Sequence, residues 1–237
     1  MDRPGLFIQF TIAFFRIIST LILSVFIITC QKNPDKPTPA PVETLFNGKD
    51  LSGWIGDTTI WKVEQDQLVG STEEKEIEHA IWITTQEQYD NFELTMQVKL
   101  VGDANKNSGV YYRGQWQDDV VVGYEFDIGG WGAEDGEDDE NWWGELHDPY
   151  RRQDLWIGPG REVIDKTYKE AEWNQLKIRA QDNHIQHWLN GRKMVDWFEN
   201  DTTIQKSGFI AFQLHDESRC TVYYKDIKLI NLNEKTQ

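Results

Sequence analysis

Phe92-Glu93-Leu94-Thr95-Met96-Gln97-Val98-Lys99-Leu100 alternates apolar and polar side chains without a break. Successive side chains on a strand point to opposite sides, so this period of two predicts a strand with one face buried and the other wet. The same reading recurs outward from it. Trp173–Ala180 ends in alternation at Leu176, Ile178 and Ala180, and Gly208–His215 and Thr221–Ile230 read as two more strands. His184–Leu189, Asn190-Gly191 and Arg192–Trp197 read as a hairpin, because Asn-Gly supplies the positive φ angles of a tight primed turn. Helical periodicity is nearly absent, with one turn expected near Thr85–Tyr89. Many strands and few helices in one domain predict an all-β sandwich or barrel.

Three segments carry chemistry on one of their faces. Tyr124-Glu125-Phe126-Asp127-Ile128 alternates apolar groups with two carboxylates. In Phe209–His215, Ile210, Phe212 and Leu214 oppose Gln213 and His215; in Gly109–Arg113, Val110 and Tyr112 oppose Tyr111 and Arg113. If these strands share a sheet, Glu125, Asp127, Gln213, His215, Tyr111 and Arg113 converge on one surface. On a curved sheet that surface is a groove, a usual seat for an extended saccharide. Strand by strand, an ordinary solvent-facing polar face explains them as well; the mix of acid, base, amide and guanidinium is what argues for a site.

Composition narrows the partners. The 237 residues carry a formal charge of −16, which repels a phosphate backbone and excludes nucleic acid as a partner. Eleven Trp, 11 Phe and 8 Tyr can fill a large core, and so many Trp also leave some free to line a sugar surface. Arg3 and Arg16 precede an apolar run from Ile17 to Ile28, which has the shape of a signal peptide over residues 1–29. Cys30 then stands where a bacterial lipoprotein carries its lipid, although Ile27-Ile28-Thr29 is a weak lipobox. Residues 30–42, with Pro34, Pro37, Pro39 and Pro41, read as an extended tether to the membrane. Residues 43–237 form the folded domain. Cys220 is far from Cys30 in the chain and reads as a small strand residue.

Leu45-Phe46-Asn47-Gly48-Lys49-Asp50-Leu51-Ser52-Gly53-Trp54 resembles the opening of the 3-keto-disaccharide hydrolase family, formerly a domain of unknown function. The resemblance continues in order through Asn107-Ser108-Gly109-Val110, Arg113, Gly123-Tyr124-Glu125, Trp173-Asn174, Leu189-Asn190-Gly191, Gly208–Ala211, Gln213-Leu214-His215 and Tyr224–Ile227. It implies a concanavalin A-like jelly-roll sandwich of two antiparallel sheets with a concave groove, related to family 16 glycoside hydrolases, and a role in breaking down 3-keto-glycosides. Two departures stand out. Asp127 replaces an amide found in many relatives, and Gly129-Gly130 stand where many carry an acid.

The chemistry follows from what is present and what is missing. A retaining glycosidase on this fold needs a nucleophile and an acid about 5 Å apart. Glu125 and Asp127 supply two members of the usual Glu-x-Asp-x-(x)-Glu strand, but the third acid is absent. A 3-keto sugar relieves the need for it: the ketone acidifies the C2 hydrogen, and the resulting enediolate expels the C1 substituent. Water then adds to the keto-glycal. Such a route needs a base near C2, for which His215 and Glu125 are both candidates. It also needs a positive group at the oxyanion, either Arg113 or a divalent metal ion held by Glu125, Asp127 and His215. Asn107, Tyr111, Gln213, Trp131 and Trp143 are candidate substrate contacts; a turn role competes for Asn107, and core packing of a long loop competes for Trp131, Trp142 and Trp143 alike. Glu145-Leu146-His147-Asp148 is a second candidate ligand group. The chain has no Gly-x-Gly-x-x-Gly fingerprint, so a partner oxidoreductase would have to make the keto sugar. A non-catalytic glycan-binding module and a conventional family 16-like glycosidase are the alternatives.

Overall fold

The computed structural model describes residues 41–130, 140–216 and 218–233. These belong to the second of two compact units, Pro39–Gln237. The expected signal peptide, Cys30, most of the tether, Trp131 and the acidic residues from Glu134 to Asp139 lie outside the described residues.

In chain order the elements are β1 (Val42–Thr44), β2 (Trp54–Gly56), β3 (Trp61–Glu64), β4 (Gln67–Ser71), β5 (Ile81–Thr85), β6 (Phe92–Gly102), β7 (Asn107–Gln117) and β8 (Val120–Gly129). There follow β9 (Leu146–His147), β10 (Trp156–Ile157), α1 (Arg161–Asp165), β11 (Asn174–Gln181), β12 (His184–Leu189), β13 (Arg192–Phe198), β14 (Phe209–Leu214) and β15 (Cys220–Asn231). They form two antiparallel sheets. The first is eight-stranded, ordered β13-β12-β11-β6-β15-β4-β3, with β1 added along β15. The second is seven-stranded, ordered β10-β9-β8-β7-β14-β5-β2. The alternating pattern leaves a sandwich or a barrel open; the two-sheet sandwich is the form that the family resemblance implies.

The core lies between the sheets. Phe92, Leu94, Met96, Val98 and Leu100 of β6 point inward from the first sheet, beside Leu176, Ile178 and Ala180 of β11. Val110 and Tyr112 of β7, Phe126 and Ile128 of β8, and Ile210, Phe212 and Leu214 of β14 meet them from the second. Phe212 and Tyr224 stack across the layers with ring centroids 4.1 Å apart. Each large apolar side chain so buried contributes roughly 1.5–3 kcal/mol relative to exposure. The opening motif belongs to this core: the Trp54 indole donates to the Leu45 carbonyl at 2.9 Å, and its ring packs on Phe212.

The hairpin at Asn190-Gly191 forms as expected, with φ of 48° and 80°. The turn expected near Thr85–Tyr89 is not helical. Thr85 ends β5, and Tyr89 exchanges backbone hydrogen bonds with Gly208 at 2.8 and 3.1 Å, which holds it extended. The helix among the described residues is instead α1, over Arg161–Asp165.

Candidate active site

On the outer face of the second sheet, β8 sits between β7 and β9, and β7 pairs with β14. Register places Gly109 opposite both Asp127 and Gln213, and Tyr111 opposite both Glu125 and Ala211. Alternation therefore brings Tyr111, Glu125, Asp127 and Gln213 to one patch. They should be exposed there, yet each is at least nineteen-twentieths buried, Glu125 and Asp127 being 4% exposed. The chain beyond β8 explains this. It adds β9 and β10 to the sheet beside β8, and residues of this segment wall the patch into a pocket of about 180 Å³. The pocket is lined by Asn107, Tyr111, Glu125, Asp127, Gln213 and His215 from the sheet side and by Trp142, His147, Pro149, Tyr150 and Trp156 from the returning segment.

Glycine makes room at two points. A Cβ at Gly109 would collide with Glu125 Oε1, so the carboxylate occupies space that a side chain at 109 would take. At Gly130 a Cβ would collide with the Glu140 carbonyl. The glycine that displaces an expected acid thus lets the returning segment approach β8, where Trp142 N–H donates to Gly129 O at 2.9 Å.

Burial dominates the electrostatics. It raises the Glu125 carboxyl well above the carboxylate range, and the Tyr111 hydroxyl only partly offsets it. Burial raises Asp127 too, reinforced by the charges of Glu125 and Glu145. Two such buried carboxyls side by side resist double ionisation. Burial lowers the His147 imidazole, so a neutral ring stands with Nδ1 3.7 Å from Glu125 Oε2. Asp127 Oδ1 is buried without a hydrogen-bond partner, a costly arrangement that something in the working site should satisfy. Donor atoms of Glu125, Asp127 and His147 all lie within 4.8 Å of one another, close enough to hold one metal ion.

Ion pairs fix the returning segment. Asp148, fully buried, accepts from Arg151 Nε at 2.9 and 3.1 Å and from Arg152 Nε at 2.8 Å. Arg152 also donates to both oxygens of Glu199, at 3.2 and 2.7 Å, and Glu199 accepts from the Tyr124 hydroxyl at 2.6 Å. Deeper still, His187 Nδ1 lies 3.1 Å from the Gly144 carbonyl and Nε2 lies 2.8 Å from Tyr112 Oη. A carbonyl only accepts, so Nδ1 carries the proton and Nε2 accepts from the tyrosine.

Sequence expectations divide accordingly. Glu125, Asp127, Tyr111, Gln213, Asn107 and His215 come together in the pocket. Arg113 does not. A bulge between Tyr112 and Gln115 breaks the alternation, Arg113 takes φ of 52°, and its guanidinium is buried against the Asp90 carbonyl at 3.0 and 2.8 Å. Trp143 is also elsewhere, packed in the core and stacked on Tyr168 at 4.5 Å. His215 lines the wall beside Asp216, 3.3 Å away, while the close partner of the two acids is His147. Sequence reasoning placed His147 only in a separate ligand group and missed Tyr150 and Trp156. The one signal for them was the aromatic and arginine-rich run from Asp148 to Trp156.

Comparisons with known proteins agree with this architecture. A family profile described as a 3-keto-alpha-glucoside-1,2-lyase-like domain matches residues 41–230. The chain is similar to a candidate glycosyl hydrolase from Parabacteroides distasonis ATCC 8503, at 26% identity and a TM-score of 0.62, covering 81% of this chain and 94% of that one. A second candidate glycosyl hydrolase from the same organism gives 22% identity and a TM-score of 0.57, covering 81% and 100%. A beta-1,3-glucanase from Mycobacterium marinum shares the fold at 10% identity and a TM-score of 0.52, covering 82% and 99%. No curated protein sequence matches the chain. The family match spans nearly the whole described domain and supports a carbohydrate-active role: the chain belongs to the 3-keto-alpha-glucoside-1,2-lyase-like domain family.

Proposed function

We propose that this domain cleaves 3-keto-glycosides by abstracting the C2 proton, eliminating the C1 substituent and hydrating the product. The observation that carries this reading is the convergence of Glu125, Asp127 and His147 within 4.8 Å at the floor of a pocket also lined by aromatic rings and amides. Glu125 is the base, because its carboxylate is desolvated and therefore strong. Asp127, in its neutral form, donates a hydrogen bond to the oxygen that gains charge at C3, the role given to Arg113 by sequence reasoning. His147 stands beside Glu125 to receive or return the proton. Asn107 and Gln213 are the pocket's amides for sugar hydroxyls, and Trp142 and Trp156 offer ring faces to the sugar's C–H groups. His215, which lines the pocket, is assigned the protonation of the departing oxygen.

A second reading rests on the unpartnered Asp127 Oδ1. Glu125, Asp127 and His147 would then hold a divalent cation, which supplies Lewis-acid stabilisation of the developing oxyanion. In this proposal the chain is exported and lipid-anchored at Cys30, and a separate oxidoreductase supplies the 3-keto sugar.

The test is NMR of the purified chain with a 3-keto-glucoside in deuterated water, with and without chelator. Cleavage with deuterium entering at C2 supports elimination, and activity lost on chelation and restored by added divalent ion selects the metal reading. Intact keto-glucoside in the presence of folded protein overturns the proposal and leaves the glycan-binding module.

A further inference from the structure

The outer face of the first sheet, on the other side of the sandwich from the candidate active site, carries lysines interleaved with aromatic rings. The apolar residues of β6 point into the core, so Gln97 and Lys99 point out, and pairing brings Tyr223 and Lys225 of β15 to the same side. Lys99 Nζ lies 4.4 Å from the centre of the Tyr223 ring and 5.4 Å from that of Trp173, and Lys225 Nζ lies 4.0 Å from Trp173. Further along, Trp188 of β12 carries Lys177 at 4.1 Å and Lys193 at 5.5 Å. Three lysines of this face are matched by carboxylates: Lys62 by Glu64 at 2.9 Å, Lys177 by Glu93 at 3.7 Å and Lys193 by Asp196 at 2.5 Å. Lys99, Lys225 and Lys228 have no ion-pair partner among the described residues. With Arg179 of β11, and against Asp226 at the β15 bulge, they leave the face positive on a chain whose total charge is −16.

We infer that this face docks on an anionic lipid surface and so turns the candidate active site away from the membrane. The choice of a lipid surface as occupant rests on the anchor proposed above; the cationic and aromatic character of the face does not. Lysine stems laid over Trp and Tyr rings, with their ammonium groups free, suit the boundary between lipid headgroups and water. Attraction between lysines and an anionic leaflet acts within a Debye length, about 8 Å at physiological salt. Charge on the second sheet lies about 10 Å further off, so the chain's negative total does not decide the encounter. The route of the chain favours lipid over a soluble polyanion. β1 joins this same sheet, where Thr44 pairs with Lys228 and Val42, 58% exposed, pairs with Ile230. The tether read over residues 30–42 therefore ends beside the unmatched lysines, and an extended stretch of that length reaches about 40 Å. So short a reach raises the effective concentration of the face at the surface that holds the anchor. The outer faces of a sandwich point in opposite directions, so docking by the first sheet leaves the pocket of the second facing outward.

The experiment is sedimentation of the full chain with phosphatidylcholine vesicles, with and without about 30 mol% phosphatidylglycerol. Wild type and the combined variant Lys99→Gln, Lys225→Gln, Lys228→Gln share one N-terminus, so anchoring by it is common to both. Wild type should prefer the anionic vesicles, and the preference should vanish at about 0.5 M salt, where the Debye length is about 4 Å. The glutamine variant should lose on the order of a hundredfold in that preference, at about fivefold per lysine. The matching Lys→Arg variant should keep it. Equal partition of wild type between the two lipids, or a preference that the glutamine variant retains, overturns the docking face. Tighter binding to soluble polygalacturonate than to anionic vesicles also overturns the lipid assignment. If the glutamine variant does not fold, acetylation of wild type on anionic vesicles decides, with Lys106 and Lys166 as references off this sheet. Selective protection of Lys99, Lys225 and Lys228 supports docking, and uniform reactivity overturns it. Cys30→Ala tests the anchor separately: if it partitions into neutral vesicles as wild type does, the anchor reading has failed, and the face still stands or falls by its anionic preference.

Discussion

The His147 imidazole lies flat against the Trp156 indole, with ring centroids 3.6 Å apart and planes 20° apart. The two residues are also backbone partners in the β9–β10 pair. Stacking on a pairing strand leaves the imidazole little freedom, which fixes Nδ1 near Glu125. Trp156→Ala should release the ring and lower turnover roughly 10–100-fold, the usual scale for a misplaced catalytic group. Trp156→Phe should retain most of it. Imidazole nitrogen shifts in the two variants check whether His147 has moved.

Glu125 and Asp127 should separate activity from stability. Glu125→Gln and Asp127→Asn each remove a buried ionisable group that the fold holds at a cost. Turnover should fall about 10²–10⁴-fold in each. Melting temperature at neutral pH should not fall and is expected to rise. Calorimetry on both variants checks this, and a drop of several degrees would mean that the carboxyls are structural.

Arg152 ties two buried carboxylates, Asp148 and Glu199, into one network. Arg152→Ala removes the counter-charge of Glu199 and leaves Asp148 with Arg151 alone. Its side chain is 28% exposed, so water will recover part of the loss, and a cost of roughly 2–3 kcal/mol is expected, below that of a fully buried pair. Denaturant midpoints measure it. A double-mutant cycle with Glu199→Gln should show coupling, since the two groups share hydrogen bonds.

His187 gives the protein a pH dependence. Burial depresses its folded-state pKa from 6.5 to about 3. The unfolded chain therefore takes the proton first. The stabilisation is complete above about pH 6.5 and is lost as the pH falls toward 3, with a slope of up to about 1.4 kcal/mol per pH unit for one proton. His187→Gln should flatten the acid limb of the stability curve relative to wild type, whatever its effect at neutral pH. Urea titrations between pH 4 and 7 give both slopes.

How far the sequence could be read depended on whether a residue sits in a regular strand. Period two was enough to place Glu125, Asp127, Tyr111 and Gln213 on one face and to lay out β6, β11, β12 and β13. It failed for Arg113, because one bulge changes the parity of every residue after it. It had no purchase on the segment from Trp142 to Trp156, which has no period and is held by ion pairs such as Arg152–Glu199, 47 positions apart. Burial of Glu125 and Asp127 was illegible for the same reason, since residues of that segment wall their pocket.

Gly109 has a consequence for inheritance. The seat of the Glu125 carboxylate is hollowed out of the facing strand by a missing side chain. Its identity is thus written at a codon sixteen positions upstream of the acid it serves. Any single-base change that replaces this glycine evicts the carboxylate while leaving the acid's own codon intact. Within the family, a chain with both acids but another residue at this position should be a silent descendant: folded, able to hold sugar, and chemically inert.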